Sequence, residues 1–172
     1  MKKFFKMFFC MLVGLCLVSC NKGSHEPKTF IRSGVTITLT DEFVYTEVVQ
    51  APVCYQTKDV IFTANKELKS DLGDNLFLFN SPTNYANLVI EANNLKCDGE
   101  KAESAKSLPT DNDGYYAYTI YDKTVSGRDF RYLLVCMVGI NYAYCMNFAT
   151  LKSNFDDYVD QFHEYAKTLE VN

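Results

Sequence analysis

The chain has 172 residues, with 17 basic and 21 acidic side chains and a formal net charge of −4. That balance excludes the basic footprint of a nucleic-acid binder, and the length suits one domain large enough for a proper core. Twelve Tyr and 13 Phe against no Trp make it aromatic-rich, which favours strands.

Lys2, Lys3 and Lys6 precede an apolar run from Met7 to Val18, which ends in Ser19-Cys20. Twelve apolar residues suit the central region of a signal peptide and fall short of the roughly 20 needed to span a bilayer. Small Ser19 leaves room for a cleaving peptidase. Residues 1–19 are therefore expected to be a bacterial lipoprotein signal peptide. Cys20 would be the lipidated first residue of the mature chain, held by acyl chains rather than by a helix. Cleavage would leave 14 basic against 21 acidic side chains, so an anionic membrane would repel the domain unless its lipid held it. Residues 20–29 read as the lipidated cysteine and a polar tether. It reaches at most about 30 Å when extended. Residues 30–172 read as the folded domain.

Val35, Ile37 and Leu39 alternate with Thr36, Thr38 and Thr40, the period of a half-buried strand. Phe43 to Tyr55 reads as a second strand, with Pro52 marking an edge or a bend. Lys58-Asp59 reads as a turn into a third strand over Val60 to Ala64, and Lys66 to Asn75 as an exposed connection. Ser81-Pro82 predicts a helix start. Tyr85, Leu88, Val89, Ala92 and Leu95 fall on one helical face, and Asn93-Asn94 weakens its end. Asp98 to Gly114 reads as a long surface loop. Tyr115 to Tyr121 predicts a strand that Ser126-Gly127 turns into a central one over Asp129 to Val138. Gly139-Ile140 then fits a two-residue turn into Tyr142 to Ala149. Ser153 is the expected cap of a last helix, whose apolar stripe is Phe155, Tyr158, Val159, Phe162, Tyr165, Ala166 and Leu169. The order β-β-β-α-β-β-β-α predicts an α+β domain built on an antiparallel sheet.

That order resembles the PsbP-like family, which includes the extrinsic photosystem II protein, a Ran-binding nuclear import factor and bacterial lipoproteins such as DcrB. The resemblance is carried by Gly34-Val35-Thr36-Ile37-Thr38-Leu39 before Phe43, by Ser81-Pro82 with Tyr85-Ala86, by three aromatic strands in succession, and by a closing helix with Phe155 and Phe162. It runs from about Phe30 to Glu170. It implies an α/β/α sandwich around an antiparallel sheet, and accessory or binding roles rather than one shared activity.

Outside the signal and Cys20, four cysteines remain: Cys54, Cys97, Cys136 and Cys145. They read as free, small, apolar side chains. A disulfide stays open in an exported chain, and Cys136 and Cys145 are expected to sit diagonally on adjacent strands, with Cys136 opposite Ala143. Asp111-Asn112-Asp113-Gly114 reads as a polar turn, because Pro109 and Ile120 would stand where a calcium loop needs ligands. No metal ligand set, Gly-rich phosphate loop or H-E-x-x-H helix is found, and no cofactor is expected. Asp156, Asp160 and Glu164 form an acidic stripe on the last helix, flanked by His163, which is expected to be exposed. Tyr115, Tyr116, Tyr118, Tyr121, Tyr142 and Tyr144 crowd two strands. Asp156, Asp160, Glu164, Tyr116 and Tyr118 are the candidate docking residues. The expected function is that of a non-catalytic binding or accessory lipoprotein of the bacterial cell envelope, anchored to a membrane through Cys20 and contacting an envelope protein. A small-ligand or metal carrier and a hydrolytic enzyme are the alternatives.

Overall fold

A computed structural model describes residues 25–49, 51–71 and 79–172. The expected signal peptide, Cys20 and most of the tether lie outside the described residues. Among the described residues, no helix is long and apolar enough to cross a membrane.

The centre is a seven-stranded antiparallel sheet. Its strands are β3 (Val44–Tyr45), β4 (Val53–Gln56), β5 (Ile61–Leu68), β8 (Lys106–Pro109), β9 (Tyr115–Val125), β10 (Arg128–Val138) and β11 (Tyr142–Leu151). They lie side by side in the order β3-β4-β5-β11-β10-β9-β8. Two helices, α1 (Pro82–Asn93) and α2 (Phe155–Lys167), lie on opposite faces. A second sheet of β1 (Pro27–Arg32), β2 (Val35–Thr40) and β12 (Glu170–Val171) joins α2 on its face. A small hairpin, β6 (Lys96–Cys97) with β7 (Glu100–Lys101), follows α1. The architecture is the expected α/β/α sandwich, with an added sheet beside α2.

Alternation divides the core. In β10, Leu133, Val135 and Met137 point to the α2 side, while Phe130, Tyr132, Leu134 and Cys136 point to α1. In β11, Tyr144, Met146 and Phe148 face α2, and Ala143, Cys145 and Ala149 face α1. Both strands are buried on both faces, which is why they read as continuous apolar runs. Phe162 of α2 stacks on Phe148 at 5.3 Å between ring centroids, and Phe62 lies 4.8 Å beyond Phe148.

Two-residue turns with both φ angles positive make three hairpins: Ser33-Gly34, Asp98-Gly99 and the expected Ser126-Gly127. Such turns match the strand twist. At Gly34 a Cβ would also lie 2.6 Å from the Tyr144 hydroxyl. The helix start at Ser81-Pro82 is as read, but the Ser81 side chain makes no capping bond. Asn94 ends α1 in a left-handed conformation, with Asn94 N–H on Glu91 O and Leu95 N–H on Ile90 O. That closure satisfies two carbonyls at the helix end.

Several boundaries differ from the expectation. The tether gives way at Pro27 to β1, an edge strand whose exposed residues carry little alternation. Phe43 to Tyr55 breaks into β3 and β4 around Pro52, which cannot donate to a ladder. β5 runs on to Leu68 because β11 pairs with it as far as Tyr142. The region from Asp98 to Gly114 holds β7 and the edge strand β8 instead of one long loop. Ala92 is exposed rather than on the buried face of α1. A 3-10 turn over Lys152–Asn154 enters α2, and Asn154 takes the cap position expected of Ser153.

The β10–β11 register is shifted from the expectation. Cys136 stands directly opposite Cys145, not opposite Ala143. The turn residues are Ile140 and Asn141, because Gly139 already pairs with Tyr142. Gly139 has no left-handed φ; a Cβ there would collide with the backbone oxygen of Asn172. Close approach of the C-terminus, rather than turn chemistry, calls for this glycine.

Candidate functional site

α2 buries Phe155, Phe162, Tyr165 and Ala166 and turns Asp156, Asp160 and Glu164 outward, where all three are exposed. Asp156 and Asp157 also sit in its first turn, where negative charge complements the helix dipole. Glu164 pairs with Lys167 at 2.5 Å. The acidic stripe read from the spacing is therefore one continuous face of the helix.

Beside that face, β9 presents Tyr118 and Tyr116. Tyr116, a candidate docking residue, is fully buried. Its even-numbered position turns the ring into the core between α2 and the sheet, beside Leu133 and Phe162. Its hydroxyl lies 3.0 Å from His163 Nδ1, a bond whose direction follows the imidazole tautomer. His163, expected to be exposed, is half-buried for the same reason. Tyr118 is half-buried and meets the His163 ring edge-on, 4.6 Å between centroids. The structure thus joins Tyr118, His163 and the stripe Asp160–Glu164 in one patch and withdraws Tyr116 beneath it.

Burial pushes the His163 pKa down from its ordinary value; Asp160 and Glu164 pull it upward and Lys167 pushes it down. Burial, with Tyr118 and Glu164 nearby, pushes Tyr116 up to about 12. Neutral imidazole and neutral phenol therefore share a hydrogen bond near pH 7. No neighbouring Ser or Cys joins this pair among its described contacts.

A second cluster has no signature in the sequence. Arg131 of β10 and Asp122 of β9 stand opposite one another, joined at 2.6 Å through Arg131 Nε. Lys152 reaches Asp122 at 2.7 Å and Asp98 at 2.8 Å. Arg131 also reaches Asp98 at 2.7 Å. The Asp98 backbone N–H donates to Asp122 at 2.9 Å. Burial alone would raise the Asp122 pKa. Hydrogen bonds from Arg131 and Lys152 outweigh it and hold the carboxyl well below the usual range. Asp98 is likewise lowered, by Lys152 first and then Arg131. The cluster ties the β6–β7 hairpin and the start of α2 to the end of the sheet.

Cys97 brings its sulfur within 4.8 Å of the Asp98 and Asp122 carboxylates, a set that could hold a metal ion. An open cleft of about 370 Å³ lies alongside, lined by Asp98, Gly99, Asp122, Thr124, Asp129 and Lys152. A cation would have to displace Arg131 and Lys152 from both carboxylates. Burial also raises the Cys97 pKa, Arg131 opposing, whereas metal binding needs the thiolate. The donor set fits an ionic clamp better than a metal centre. Its parts come from four separate elements, so no local spacing could have announced it.

Cys54, Cys136 and Cys145 are buried, and the structure carries no disulfide among the described cysteines. Asp111 to Gly114 forms the expected polar turn, in which Gly114 N–H bonds to Thr110 Oγ1 at 3.0 Å.

No protein-family model matches the chain, and no curated protein matches it. Solved structures do. Over 91% of its length the chain is similar to 99% of cyanobacterial PsbP (CyanoP) from Synechocystis sp. PCC 6803, with a TM-score of 0.54 and 14% identity. It is similar to the Saccharomyces cerevisiae Ran-binding protein Mog1p, with a TM-score of 0.50 and 7% identity, over 86% of this chain and 96% of that one. A Bacteroides thetaiotaomicron VPI-5482 crystal structure gives 0.53 and 17% over 84% of this chain, which spans 48% of that larger one. The fold is therefore the PsbP-like fold. Identities this low carry the fold and not the activity.

Proposed function

We propose that the chain is a non-catalytic binding or accessory protein of the bacterial cell envelope, anchored to a membrane through lipidated Cys20. It docks an envelope protein through the exposed face of α2. The observation that carries the reading is the continuous acidic stripe of Asp156, Asp160 and Glu164 beside half-buried Tyr118 and His163. Such a patch offers charge for steering and aromatic edges for contact. The Ran-binding description of Mog1p supports a binding role on this fold.

The test is co-purification from detergent-solubilised membranes. Wild-type chain is compared with Asp156→Lys/Asp160→Lys/Glu164→Lys, whose substitutions are all exposed. The reading expects one protein retained by wild type, lost from the variant, and released as salt rises. Equal retention by a folded variant would contradict it.

A further inference from the structure

Cys136 and Cys145 face one another at the centre of the sheet. The Gly139 N–H bond to Tyr142 O, at 2.9 Å, makes Gly139 and Tyr142 a hydrogen-bonded pair. Pairs alternate along an antiparallel ladder, so Cys136 and Cys145 form a non-hydrogen-bonded pair. Their Cα atoms are then about 4.5 Å apart and their side chains lean together. A disulfide accepts Cα separations of about 4.4–6.8 Å.

Both side chains lie in the α1-side core, Cys136 fully buried. Tyr85 of α1 and Glu67 of β5 stand nearby, and the Tyr85 hydroxyl donates to Glu67 Oε2 at 3.2 Å. Burial first, then the hydrogen bond with Cys145, pushes the Cys136 thiol up. A thiol so placed is protonated and out of reach of solutes. Cys54 lies on β4, separated from β11 by β5, and Cys97 lies in the β6–β7 hairpin. Cys136 and Cys145 are each other's cross-strand partners.

We propose that Cys136 and Cys145 are a disulfide-forming pair, oxidised as the chain folds in the presence of an organic disulfide. One cysteine thiolate attacks the oxidant's disulfide, forms a mixed disulfide and expels a thiolate. The second cysteine, as its thiolate, attacks the protein sulfur of that bond and expels the other oxidant thiolate. The two cysteines lose two protons and two electrons, and the oxidant becomes two thiols. The exchange precedes docking of α1, which afterwards shields the bond. The geometry stands on the register alone; occurrence in the cell rests on the envelope reading, because envelopes are oxidising.

Arg131 and Lys152 bracket both cysteines with no basic residue between, so one tryptic peptide contains the pair. The full-length chain is unfolded with reductant, refolded with oxidised and reduced glutathione, denatured, alkylated and digested. The expected peptide is lighter by two hydrogens and unalkylated, and in at least tenfold excess over the doubly alkylated form. Cys136→Ser and Cys145→Ser should each yield an alkylated peptide instead. A predominantly doubly alkylated peptide from refolded wild type would overturn the proposal, as would a link to Cys54 or Cys97. The same digest of chain trapped by alkylation at cell lysis separates the two readings. The bond formed in glutathione but missing from cells supports the pairing and counts against the envelope.

Discussion

Asp122 shows how one residue can organise a corner of the molecule. It accepts from Arg131, from Lys152 and from the Asp98 backbone. Asp122→Asn keeps the shape, removes the charge, and leaves Arg131 facing an amide. We expect a loss of about 1–3 kcal/mol, toward the lower end because the cluster opens on solvent. The folded pKa of Asp122 is depressed. Its contribution is therefore present above the unfolded value of about 3.9 and is lost as pH falls below it. Urea melts at pH 7 and in acid check both points: the gap between wild type and variant should close in acid.

His163 makes a second prediction at this scale. Its pKa is lowered by burial, so the folded state takes up its proton later than the unfolded state. Stability is full above about pH 6.5, the unfolded value, and falls as pH drops through the folded pKa. Asp160 and Glu164 moderate the fall, and Lys167 adds to it. An NMR titration should place the His163 midpoint below 6.5 by the same reference. A midpoint above it would mean that the imidazole is not held against Tyr116.

Among the elements, α2 carries the most testable packing. Phe162 is fully buried and touches Phe148, Phe155 and Tyr158. Phe162→Ala should cost about 3–5 kcal/mol in denaturant unfolding, as for other buried aromatic truncations. A cost near zero would mean that α2 does not rest on the sheet. The stripe that predicts this was legible because a helix with one wet face prints its period on the sequence. So were the long strands β9, β10 and β11, whose residues are apolar over many positions. Short edge strands were not. β1, β3, β6, β7 and β8 owe their existence to neighbours, as β8 does to Tyr115–Tyr118 of β9, and an exposed edge needs no apolar face. The hairpin register slipped for a similar reason. Gly139 looks like a turn glycine, and only the returning C-terminus at Asn172 explains it. The acidic stripe was legible in full, whereas the burial of Tyr116 and His163 depends on where α2 lands across β9.

Cys20, outside the described residues, is expected to carry acyl chains, and the domain begins seven positions later at Pro27. Several chains hold firmly where one holds marginally. Wild-type protein should therefore partition into detergent phase and Cys20→Ser into the aqueous phase. Mature wild type found wholly in the aqueous phase would remove the anchor from the account.

The docking claim is tested most directly by a photo-crosslinking amino acid placed at exposed Gln161, beside the stripe and without disturbing Asp156, Asp160 or Glu164. A control carries it at exposed Ala92 of α1, on the opposite face of the sheet. Irradiated cells should yield one discrete adduct from position 161 and none of that mass from position 92. Adducts from position 92 alone, or the same adduct from both, would contradict docking through α2.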